Sequence, residues 1–165
     1  MPRMANTYSQ IYIQVVFAVE DRASLIRPAF KEDLYKFMTG IIRQEKQKLI
    51  AINGMPDHVH LLIGLKPDVA LSDAVRDVKA KSSKFVNERR LVKGRFRWQE
   101  GFGAFSYGHS QLDTVVRYIQ NQEQHHAKKS FRNEYFTLLR KFDVAFQDRY
   151  AFRFIESAAP TELEG

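Results

Sequence analysis

The chain contains no cysteine. That excludes a disulfide framework, a thiolate zinc site and a cysteine nucleophile, and it fits a reducing compartment. Long apolar runs are also missing. The longest, Val15–Val19 and Leu61–Leu65, fall far short of the ~20 residues that a membrane-spanning helix needs, so no membrane partner is expected. No apolar signal segment follows the amino terminus, and none of the glycine-rich motifs that cradle nucleotide phosphates occurs. Acidic residues are the minority charge: Asp and Glu total 19 against 26 for Lys and Arg, a formal net charge of +7. Such a balance favours a polyanionic partner and says nothing about fold.

What is present suffices for one globular domain. The 165 residues are 44% hydrophobic, enough to build a core. A single domain is expected over residues 1–155. Glu156–Gly165 is small, acidic and proline-containing, and reads as a disordered tail.

The body alternates between two periodicities. Ile11–Glu20 is rich in Ile, Val, Tyr and Phe and reads as a largely buried strand. From Pro28 the residues Phe30, Leu34, Phe37, Met38, Ile41 and Ile42 mark the apolar face of a helix with proline in its first turn. Lys48–Asn53 and Asp57–Leu65 read as two strands joined through Gly54-Met55-Pro56. A second helix is expected from Leu71 to Asn87, with Ser72 as N-cap, and a fourth strand at Gly103–Tyr107. A third helix is expected from Ser110, with Asp113 as capping-box partner, to about Ala127, and a short one near Asn133–Phe142. The order β-α-β-β-α-β-α-α predicts an α/β (α+β) domain. Its expected form is a ferredoxin-like antiparallel sheet of about four strands with helices mainly on one face.

Two local features carry chemistry. In Pro56-Asp57-His58-Val59-His60 the two histidines are two apart on a strand, so they project side by side while Val59 faces the core. Two imidazoles so placed can share one metal ion, or can be polar residues satisfied by water and backbone on a half-exposed strand. In Tyr118-Ile119-Gln120-Asn121-Gln122 the tyrosine and Gln122 are four apart, on the flank of a stripe formed by Leu112, Val115, Val116 and Ile119. A tyrosine there can face a cleft or simply pack with its hydroxyl wet.

Taken together and in this order, the two features make the chain resemble the single-tyrosine HUH transposases of the smallest bacterial insertion sequences, relatives of the REP-associated tyrosine transposases. The likeness runs from Tyr8 to Phe154. It includes the segment Trp98–Ser106 and the pair His125-His126.

The resemblance implies the HUH endonuclease fold and a nuclease and strand transferase acting on single-stranded DNA in the bacterial cytosol. Tyr118 would be the nucleophile. His58, His60 and Gln122 would hold a divalent cation, Mg²⁺ or Mn²⁺. The product would be a 5′-phosphotyrosine, the substrate single-stranded DNA with subterminal hairpins, and the assembly a homodimer able to exchange the tyrosine helix.

A phenol with a pKa near ~10 is a weak nucleophile at neutral pH, and a cation on the phosphate compensates for this. Asp57 could orient a histidine or be a surface turn residue, and His125 or His126 could move a proton, serve as an extra ligand or be solvated at the helix end. The densest basic segment supplies Lys79, Lys81, Lys84, Arg95, Arg97 and the only tryptophan, Trp98, as candidate DNA contacts. A non-catalytic hairpin-binding module of the same fold is the alternative. It explains the charge but not why Tyr118 and Gln122 accompany His58 and His60.

Overall fold

The computed structural model describes residues 7–146. The acidic tail expected at 156–165 lies outside them. β1 (Tyr12–Ala18), β2 (Lys48–Met55), β3 (His58–Gly64) and β4 (Gly103–Tyr107) form one sheet in the order β2-β3-β1-β4, with every pair antiparallel. β1 and β3 are the inner strands. They are buried on both faces, which is why they read as apolar runs rather than alternations.

Successive side chains leave opposite faces of the sheet. On one face Val15, Phe17, Val59, Leu61 and Ile63 meet α1 (Pro28–Gln44) and α2 (Leu71–Glu88). α1 opens with Pro28 as expected and buries Phe30, Leu34, Met38, Ile41 and Ile42, together with Tyr35. The other face is covered too, contrary to the expectation of helices mainly on one side. There α3 (Leu112–Gln120) packs Val115 and Ile119 on Ala51 and Leu62. α5 (Phe131–Lys141) packs Phe131, Tyr135, Leu138 and Leu139 on Val16, Ala18 and Phe105.

Several local expectations are corrected. Ser72 caps nothing; the N-cap of α2 is Ala70, without a side-chain bond. α3 starts after a short 3₁₀ turn, His109–Gln111, where the Gly108 amide donates to Gln111 Oε1 (3.0 Å) in place of a Ser110–Asp113 box. The helix expected to run to Ala127 is interrupted at Asn121 (φ −95°, ψ 28°), and α4 (Gln122–His126) follows it. The reason comes from a neighbouring strand. Asn53 Nδ2 on β2 donates to the carbonyls of Ile119 and Gln120, both at 3.0 Å, and so satisfies acceptors at the end of α3. α5 begins at Phe131, two residues early, because Ser130 Oγ accepts the Asn133 amide (3.3 Å) as its cap.

The β2–β3 turn is tighter than expected. Met55 pairs with His58, leaving only Pro56 and Asp57 between the strands. At Gly54 an added Cβ would lie 2.2 Å from the His58 carbonyl oxygen and 2.9 Å from Val59 Cα, both backbone atoms. Gly54→Ala is therefore expected to lower stability by about 3 kcal/mol, because the hairpin must shift. Urea unfolding measures this, and a loss below ~0.5 kcal/mol would show that the hairpin yields freely.

Candidate active site

His58 and His60 leave β3 on the face covered by α5, with Val59 turned to the opposite core as its position requires. Neither imidazole reaches solvent. The half-exposed strand considered from the sequence does not exist, because β3 is an inner strand with helices on both sides. His58 Nδ1 lies 2.7 Å from Asp57 Oδ1, and its ring stacks on Phe131 at 4.1 Å. His60 Nδ1 accepts from Gln14 Nε2 (2.8 Å), and Gln14 Oε1 in turn accepts the Tyr107 hydroxyl (2.7 Å). Each ring is thus oriented by its Nδ1 side, and the Nε2 atoms converge.

They converge on a residue that the sequence reading missed. Glu134, 1% exposed in the first turn of α5, receives His60 Nε2 at 2.8 Å on Oε1. The same oxygen is 3.2 Å from His126 Nε2 and 3.4 Å from His58 Nε2. Its Oε2 accepts the hydroxyl of Tyr118 and, at 3.4 Å, Gln122 Nε2. His125 Nε2 lies 3.2 Å from Oε2 but is not aligned as a hydrogen bond.

Gln122 Oε1 faces both His58 Nε2 (3.2 Å) and His126 Nε2 (3.1 Å). The residues expected from opposite ends of the chain therefore meet: Tyr118, His58, His60 and Gln122 surround one carboxylate. The signal for Glu134 was available. Phe131, Glu134, Tyr135 and Leu138 follow i, i+3, i+4, i+7, so an acid interrupts an otherwise apolar face.

The charges are mutually dependent. Burial opposes ionisation of Glu134, but hydrogen bonds from His126, His58 and His60 outweigh it and hold the carboxyl far below its usual range. Burial also disfavours charge on His58, yet Asp57 and Glu134 raise its pKa. His60, deeper and beside two other histidines, is lowered by burial despite Glu134. Burial and the adjacent Glu134 charge push the Tyr118 phenol well above its ordinary value.

His58, His60, His126 and Glu134 each offer a donor atom, and all four atoms lie within 4.8 Å of one another. Imidazole and carboxylate donors converging in a buried, charge-balanced pocket fit a divalent cation. Tyr118 itself is half-buried. It borders a cleft of about 690 Å³ lined by Thr114, Arg117, Asn121, Gln124 and Lys128, among others.

Residues 7–122 match the family of IS200-like transposases. The chain belongs to that family. It is 25% identical over 118 residues to the ISDra2 transposase TnpA of Deinococcus radiodurans, covering 68% of this chain and 84% of that one. Its fold is that of a transposase structure from Deinococcus radiodurans R1, at 23% identity and TM-score 0.58, over 74% of this chain and 98% of that one. A REP-associated tyrosine transposase solved bound to a REP hairpin is similar at 17% identity and TM-score 0.57, over 76% and 74% of the two chains. This transposase thus has the α/β fold and family expected of it.

The basic residues lie elsewhere. α2 and the loop after it sit on the opposite face of the sheet from His58 and His60, around a groove of about 1140 Å³. Lys84, Arg95 and Arg97 line it with exposed side chains, joined by Arg76 and Arg90; Lys81 is exposed on α2 but is not part of the lining.

Two of the expected DNA contacts are held within the fold. Lys79 Nζ donates to the Gln99 carbonyl (2.7 Å) and to that of Gly101, and burial lowers its pKa to about 8. Trp98 is buried, edge-on to Phe17 and Phe96, with Nε1 donating to Ser82 Oγ (2.8 Å). It forms groove floor rather than a free stacking platform. The groove still approaches the histidines along the backbone: Gln99 N donates to Ala18 O (2.8 Å), and Ala18 pairs with His58. No helix among the described residues is long and apolar enough to cross a membrane.

Proposed function

We propose that this transposase cuts and rejoins single-stranded DNA through Tyr118, with His58, His60 and Gln122 holding a divalent cation, Mg²⁺ or Mn²⁺. The observation that carries this reading is the meeting of the Tyr118 hydroxyl and two buried imidazoles on one carboxylate within a single chain. The Tyr118 oxygen attacks the scissile phosphorus. The bond from phosphorus to the 3′ oxygen breaks, the phenol gives up its proton, and the 3′ oxygen gains one. This leaves a 5′-phosphotyrosine and a free 3′-hydroxyl. Because the ester is exchanged rather than hydrolysed, the 3′-hydroxyl of another strand can reverse the step without ATP. The cation, when bound, polarises the phosphate and offsets the charge that builds on it.

The protein's own groups do the rest. Asp57 holds the His58 ring at Nδ1 and Gln14 holds the His60 ring there. For His60 Nε2 to bind a cation the Gln14 amide turns over so that its oxygen accepts from Nδ1–H, and both Nε2 atoms then face the same point. α3 holds Tyr118 by its buried neighbours Val115 and Ile119, so the phenol has one approach to the substrate. Arg117 and Lys128 at the cleft are placed to meet the flanking phosphates. The exposed cations of the groove, Lys84, Arg95 and Arg97, and Lys81 on α2 beside them, would grip a hairpin, the kind of DNA bound by the REP-associated relative. A homodimer joining two element ends in the bacterial cytosol, able to exchange the tyrosine helix, is the assembly we propose.

The test is to incubate the protein with labelled hairpin-bearing single-stranded DNA and Mn²⁺. A species surviving denaturing electrophoresis, mapped by mass spectrometry to the peptide containing Tyr118, is expected. Retention on native gels alone would mean a binding module instead. Asp57→Ala is expected to weaken Mn²⁺ binding by about 10–100-fold, because the His58 ring loses its anchor. Calorimetry reads this directly, and unchanged affinity would reduce Asp57 to a turn residue.

A further inference from the structure

We propose that Glu134 couples the tyrosine to the cation site: Oε1 joins His58, His60 and His126 as a cation donor, while Oε2 positions the Tyr118 hydroxyl. This rests on the reading above and goes beyond it. Glu134 lies twelve residues past the matched segment, which ends at Gln122, the last of the expected ligands.

The division of labour is visible in the contacts. Oε1 is within 3.4 Å of three imidazole Nε2 atoms, whereas Oε2 takes the phenol and the Gln122 amide. A lone carboxylate buried this deeply would be strongly unfavourable, so the surrounding donors define its position closely.

Its carrier is held as well. Ser130 caps α5, Phe131 stacks on His58, and Tyr135 sits so close to Gly103 that an added Cβ there would lie 2.9 Å from its ring. The backbone that carries Glu134 is therefore held in place. An acceptor fixed in this way removes the rotational freedom of the phenol O–H and keeps the oxygen one carboxylate's width from the cation donors. A hydroxyl hydrogen-bonded to water would keep neither the angle nor the spacing. The third imidazole also matters for the choice of ion. With Gln122 Oε1 kept from the reading above, three nitrogens and two oxygens favour Mn²⁺, Co²⁺ or Zn²⁺ over Mg²⁺, which prefers oxygen donors and water.

The experiment uses the full chain, with Glu134→Gln compared to wild type in two measurements. Calorimetric titration with Mn²⁺ reads donation by Oε1. Single-turnover adduct formation at Mn²⁺ and DNA concentrations that saturate the variant reads the positioning of Tyr118. Weakening of Mn²⁺ binding by tenfold or more is expected, together with a saturated adduct rate about 100-fold below wild type. An affinity loss smaller than tenfold, or a saturated rate within tenfold of wild type, overturns the coupling. A structural role alone would not survive this split, because saturation restores whatever weak metal binding had removed. If circular dichroism shows that Glu134→Gln does not fold, Glu134→Asp keeps the charge, shortens the reach and is judged by the same limits. A wild-type protein that binds Mn²⁺ but forms no adduct overturns the nuclease reading and the coupling with it. A wild-type adduct with Glu134→Gln unaffected overturns the coupling alone.

Discussion

Tyr118→Phe is expected to abolish the covalent protein–DNA adduct, lowering its rate of formation by ~10⁴-fold or more. The substitution removes one oxygen atom and little else. The ring keeps its edge contacts with His60 at 5.8 Å and His125 at 5.0 Å, and α3 keeps Val115 and Ile119 in the core. Glu134 loses one donor but retains His60 and His126, so the change in stability is about 1 kcal/mol. Native-gel retention of the hairpin should stay within about twofold of wild type, because the exposed cations that meet phosphate are unaltered. The measurement is a denaturing gel of single-stranded DNA incubated with Mn²⁺. An adduct of undiminished yield in the Phe variant would place the nucleophile elsewhere and overturn the mechanism.

His58→Ala should separate cutting from binding. It removes an inward Nε2, the partner of Asp57 and the ring stacked on Phe131. Metal-dependent cleavage is expected to fall by ~10³-fold or more, since a cation donor and the anchor for its neighbours are lost together. Hairpin affinity should change little, because the basic groove lies across the sheet from β3's histidine face. A stability loss of about 2–3 kcal/mol accompanies the change, as a buried, hydrogen-bonded ring gives way to a cavity. Cleavage is therefore compared at a temperature where circular dichroism shows the variant folded. A normal Mn²⁺-dependent rate in that folded protein would dismiss the metal assignment.

Sequence and structure divide unevenly. The four strands and both long helices were legible because burial imposes periodicity: Phe30, Leu34, Met38, Ile41 and Ile42 cannot share one face unless Pro28–Gln44 is helical. His58 and His60 were legible for the same reason, period two placing them on one face of β3. The interruption at Asn121 was not. It depends on Asn53, on a strand 66 residues away from the carbonyl of Ile119 that it satisfies. Nor was the confinement of Trp98 and Lys79. A cation and an aromatic within a basic run look alike whether they meet DNA or a neighbouring carbonyl, and only the loop's return over α2 decides.

The strands, the two long helices, the β2–β3 hairpin and the shared face of the two histidines followed from the linear chain, because local periodicity and short spacings are written residue by residue. What the tertiary structure decided is that α5 returns to lay Glu134 over the histidine face, binding Tyr118 and three imidazoles to a single carboxylate. That contact spans 74 residues from His60 to Glu134. Contacts of such range are set by the packing of Phe131, Tyr135, Leu138 and Leu139 on the sheet, which no short stretch of sequence encodes alone.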